Sequence, residues 1–72
     1  MSEIYVRLLG EGTDVYRPVQ AVRVGEAAFR IEPNSQINFD DEEWEFPPGA
    51  TVLVADAEIG GEFRPLAVRR VS

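Results

Sequence analysis

The sequence predicts an all-β domain: a small five-stranded antiparallel, SH3-like barrel, partly open, with an OB-like barrel as second choice. Three observations predict it. Almost every apolar stretch alternates with period two, carries β-branched residues and ends at Gly, Pro or Asn. No stretch shows the 3.6-residue period of an amphipathic helix. And 72 residues make one domain, 1–72, because a second would have too little chain for a core of its own.

The elements follow in order. Ile4-Tyr5-Val6-Arg7-Leu8-Leu9 reads as the first strand, with Ile4, Val6 and Leu8 on one face and Tyr5 and Arg7 on the other. Gly10-Glu11-Gly12-Thr13-Asp14 interrupts it, with two glycines open to positive φ. The second strand spans about Val15 to Val24. Its alternation slips, since Val19 and Ala21 share one phase and Val22 and Val24 the other, so a β-bulge is expected there. Pro18 has no N–H for a ladder and marks an edge, or the point where the strand leaves one partner. Gly25-Glu26 reads as a two-residue II′ hairpin turn into a third strand, Ala27–Ile31, with Phe29 and Ile31 inward.

From about 32 to 48 the character changes to a long acidic and aromatic loop. Pro33-Asn34-Ser35 is a turn and Gln36–Phe39 a candidate short strand. Ile37, Phe39, Trp44 and Phe46 are candidates to pin the loop to the body, and Pro47-Pro48-Gly49 ends it in a tight turn. Ala50–Ile59 is the fourth strand, and Gly60-Gly61 closes a hairpin onto the fifth, Phe63–Val71. An OB-like barrel carries a helix between its third and fourth strands. Asp40–Trp44 supplies at most one short turn of helix, which puts the SH3-like barrel first.

Composition excludes much chemistry. With no Cys and no His there is no disulfide, no Cys or His zinc site and no thiol catalysis. No metal or cofactor is expected, so stability rests on apolar packing and sheet hydrogen bonds. The charge is −6, with 13 acids against 7 bases, and every base is Arg. That balance repels nucleic-acid phosphates and anionic membrane surfaces, and turns the search toward a basic partner. The longest apolar run, Thr51–Ala55, is far short of the ~20 residues of a membrane helix. Met1-Ser2-Glu3-Ile4 does not open a secretory signal, so a cytoplasmic location is expected.

No enzyme is expected either. The Ser and Thr hydroxyls have no recognisable base beside them, and Gly10-x-Gly12 lacks the Lys and the helix of a phosphate loop. Asp40, Asp41, Glu42 and Glu43 lack the staggered spacing and the Gly of a calcium loop, and read as a solvated acidic loop. The candidate binding residues are Asp14, Tyr16, Arg17, Glu42, Glu43 and Trp44. Tyr16 and Trp44 would form an aromatic groove flanked by Asp14, Glu42 and Glu43, of the kind that takes Pro-rich or basic peptides. Against this stands the packing reading, in which Arg17 pairs with Glu11 or Asp14 and the aromatics cover a thin core.

Glu11-Gly12-Thr13-Asp14-Val15-Tyr16-Arg17-Pro18-Val19 and Glu42-Glu43-Trp44-Glu45-Phe46-Pro47-Pro48-Gly49 resemble segments of small bacterial proteins of uncharacterised function. The resemblance covers about Val6 to Val54 and implies a bacterial source and a compact β domain, with no activity attached.

Two function classes follow as expectations. The first is a non-catalytic binding or adaptor module for a basic or Pro-containing protein surface. It uses the Glu11–Arg17 and Asp40–Phe46 loops, which an SH3-like barrel places on one side. The second is a structural subunit or homo-oligomer. An acidic inhibitor or nucleic-acid mimic ranks below both.

Overall fold

The computed structural model describes residues 2–10, 15–33 and 43–71. It is all-β, with six strands and no helix among the described residues. The strands are β1 (Ser2–Leu9), β2 (Val15–Arg23), β3 (Ala28–Ile31), β4 (Glu43–Trp44), β5 (Thr51–Ile59) and β6 (Glu62–Arg70).

Five of them form a ring, β1-β2-β3-β5-β6 and back to β1, and the two-residue β4 pairs with the end of β1, at Leu8 and Leu9, beyond its single pair with β6. Every joint is antiparallel except the last. There β6 runs parallel to β1 through one residue pair, Tyr5 with Leu66. A meander with an odd number of strands must close parallel, because its first and last strands run the same way. A seam one pair wide makes the barrel partly open, as the sequence predicts.

The core follows the period of two. Ile4, Val6 and Leu8 face inward from β1, and Val19 and Ala21 meet them from β2 in an unbroken register from Ser2–Ala21 to Leu8–Val15. Ile31, Val52 and Ala67 complete the wall, with Phe29 packed partly against it. Trp44 and Phe46, at 7% and 8% exposure, plug the end where β4 joins β1.

Two turns match their residues. Ala50 N–H donates to Pro47 O at 3.1 Å, with Pro48 second in the turn and Gly49 third at φ 91°, the type II arrangement. Gly60 and Gly61, at φ 63° and 85°, form the type I′ turn between β5 and β6. Pro18 lies where β2 pairs only with β1 among the described residues; contact with the β3 side begins at Gln20 O, which accepts from Glu32 N–H at 3.0 Å.

Two details of the sequence reading need correction. β2 has no bulge. Val22 and Val24 simply lie on its outer face, where Val24 is 52% exposed, while the register shift sits on β6 opposite Leu53 and Val54. The β2–β3 connection is not a two-residue II′ turn. It runs from Val24 to Ala27, and Gly25 has no positive φ. Arg23 holds it shut, its Nε donating to Gly25 O and a terminal guanidinium nitrogen to Glu26 O, both at 2.9 Å. Gly25 is small for a packing reason: a Cβ there would stand 3.3 Å from Ala28 Cβ. The candidate strand Gln36–Phe39 and the acids Asp40 to Glu42 lie outside the described residues.

Candidate functional site

The predicted site divides on the structure. Leu8 pairs with Trp44 and Leu9 with Glu43, so the end of β1 that leads into the first loop is stitched to the end of the long loop. The described flanks of the two loops therefore share one end of the barrel. The aromatic groove, however, does not form there.

Tyr16 lies opposite Arg7 on the outer face of the sheet, half-buried, whereas Trp44 pairs with Leu8 on the inner face and belongs to the core. β1 separates them, and their side chains leave opposite faces. Of the two readings of Trp44, burial supports packing over an exposed groove: its indole is the largest side chain available to close a thin core. Arg17 lies opposite Val6 on the core-facing phase, half-buried, with its Nε shielded from solvent. Glu43 is exposed. Asp14 and Glu42 lie outside the described residues.

The other end of the barrel carries the feature that the candidate residues miss. β3 has four residues and pairs with β5 only from Thr51 to Leu53, with one more bond from Val54 N–H to Ala27 O at 2.9 Å. β6 pairs with β1 only at Leu66. From Ala55 to Arg64 the β5–β6 hairpin therefore continues as a two-stranded arm, paired with no other described strand.

Register sorts the arm's side chains. Val54–Ala67, Asp56–Pro65 and Glu58–Phe63 lie on the face that continues the barrel interior. Ala55–Leu66, Ala57–Arg64 and Ile59–Glu62 lie on the other. Phe63 is 75% exposed, the most open large apolar side chain described. Arg64 and Glu62 form an exposed ion pair at 2.7 Å. Asp56 and Glu58 take part in no ion pair among the described residues.

A signal for the arm was present in the sequence. The third strand is about half as long as the fourth and fifth, so a hairpin built from the latter must overhang it. Among the described residues no group of three Asp, Glu, His or Cys could hold a metal ion. No family model, curated protein or solved structure matches the chain.

Proposed function

We propose that this chain is a non-catalytic protein-binding module that takes a basic partner on the β5–β6 arm. One observation carries the reading: a hairpin that outruns its barrel, with Phe63 at its tip 75% exposed. A two-stranded hairpin by itself is marginal in water. Extending one beyond the core, and placing an aromatic on it, gains little for the fold and makes a docking element for a second molecule. The basic partner follows from Asp56 and Glu58 on that arm and from the net charge of −6. The absence of His and Cys supports the non-catalytic part.

The test shortens the arm without disturbing the barrel. Deleting Glu58, Ile59, Glu62 and Phe63 together joins Ala57 to Gly60 and Gly61 to Arg64. Ala57–Arg64 then flanks the turn with the same hydrogen-bonded pair type as Ile59–Glu62. The shortened chain should keep the parent circular dichroism and lose binding to fluorescently labelled arginine-rich and lysine-rich extended peptides at physiological salt. Equal binding by both chains would sink the proposal.

A further inference from the structure

We infer that the partner binds by adding a strand to the β5 edge of the arm, as an extended segment that alternates cationic with apolar side chains. This rests on the protein-binding reading above and names its occupant.

The backbone supplies the first part of the argument. Val54 N–H points away from β6, because it donates to Ala27 O. Backbone groups alternate between the two sides of a strand, so the N–H and C=O of Asp56 and Glu58 point the same way. No described strand lies there. Four groups in a row are thus set out as an unfilled continuation of the line of β3. The opposite edge is different. Asp56–Pro65 is the non-hydrogen-bonded kind of pair, so the position of the missing proline N–H faces outward from β6. The β6 edge lacks a donor where the β5 edge has a full set.

The side chains supply the chemistry. Along the β5 edge the carboxylates of Asp56 and Glu58 occupy one face, and Ala55, Ala57 and Ile59 the other. An added strand meets acids on one face and methyl groups on the other. Lys or Arg at alternate positions, with apolar residues between, satisfies both.

A second copy of this chain does not fit the same edge. Two-fold pairing about Ala57 sets Asp56 opposite Glu58 of the copy, and pairing about Asp56 or Glu58 sets an acid opposite itself. Like charges directly opposite destabilise a pair, so the pattern that admits a basic strand keeps two edges of this protein apart.

The probe is a capped, labelled octapeptide alternating arginine with valine, titrated against the intact chain by fluorescence anisotropy. Two further peptides carry N-methyl groups, one on every arginine and one on every valine. An added strand bonds through every other residue. One methylated peptide should therefore lose about tenfold or more in affinity, while the other stays within about twofold.

On the protein side, Glu58→Pro removes an N–H that faces the open edge and breaks no bond inside the arm. It should cost about tenfold, against about threefold for Glu58→Gln, which removes only charge. Equal behaviour of the two methylated peptides, or full binding by Glu58→Pro, would overturn strand addition. The binding-module reading would survive that result if the shortened arm still lost the unmethylated peptide, and would fall with it if the intact chain bound none. Sedimentation should show a monomer at all concentrations; a dimer dissociated by Glu58→Pro would assign the edge to a second copy instead.

Discussion

β5 is one strand living in two environments. Thr51–Val54 runs between β3 and β6, with Val52 fully buried, while Ala55–Ile59 pairs only with β6 among the described residues. The residues change at the same point, from Val52-Leu53-Val54 to Ala55-Asp56-Ala57-Glu58. Branched and large side chains fill a core, whereas small and acidic ones keep a solvated ribbon soluble and its edge open. The half that holds the barrel together is distinct from the half on which partner binding is proposed. The loop end shows the converse: Trp44 and Phe46, set among acids in the sequence, are packed inside. Exposure in this molecule follows position relative to the barrel, and the polarity of sequence neighbours does not report it.

The strongest way to break that comparison is Trp44→Ala. At 7% exposure, in a cluster with Leu8 and Phe46, the indole should cost ~3–5 kcal/mol to remove. A chain of 72 residues, at ~0.05–0.15 kcal/mol each, has only about 4–11 kcal/mol in all. Urea unfolding followed by circular dichroism should show much of the transition lost. Fluorescence of the parent should show a blue-shifted Trp44, shielded from iodide at every dilution. A loss below ~1 kcal/mol would mean that the loop end is not core.

A smaller effect separates two turns. Gly49, at φ 91°, precedes Ala50 in the turn that brings the long loop back to β5, and its own N–H donates to Ile31 O at 2.9 Å. Gly49→Ala forces an ordinary residue into that conformation and should cost ~1–3 kcal/mol in a urea titration. Gly60→Asn, at φ 63° in a type I′ turn that accepts Asn, should be near neutral. A silent Gly49→Ala would show that the loop end does not depend on the Gly49 conformation.

How far the sequence carries the fold can be read from the same elements. Alternation placed β1, β2, β3, β5 and β6 to within two residues at each end, because a sheet with one buried face repeats every second residue. Gly60-Gly61 and Pro48-Gly49 were legible because positive φ restricts which residues fit. The bulge was not. A phase slip in Val22 and Val24 looks the same whether the strand bulges or merely turns two valines to its outer face, and only the partner's register decides. β4 was missed because its pairing partner is distant in the chain. The choice between the groove and packing readings of Trp44 was not legible for the same physical reason: an aromatic in an acidic stretch carries no mark of which face of the sheet it leaves. The arm follows from unequal strand lengths, a quantity that becomes meaningful only once the neighbours of each strand are known.

The smallest expected effect bears on the arm itself. Phe63→Ser removes a ring that is already 75% in water, so the folded state loses little apolar contact. The cross-strand neighbour, Glu58, is a carboxylate and gains nothing from the ring. Stability should stay within ~0.5 kcal/mol of the parent, as for surface changes away from packed sites. Peptide binding is free to change independently of it. A loss of ~2 kcal/mol or more would mean that the ring is packed in solution. That would place the second half of β5 in the same environment as the first, and remove the reason for assigning the two halves to different work.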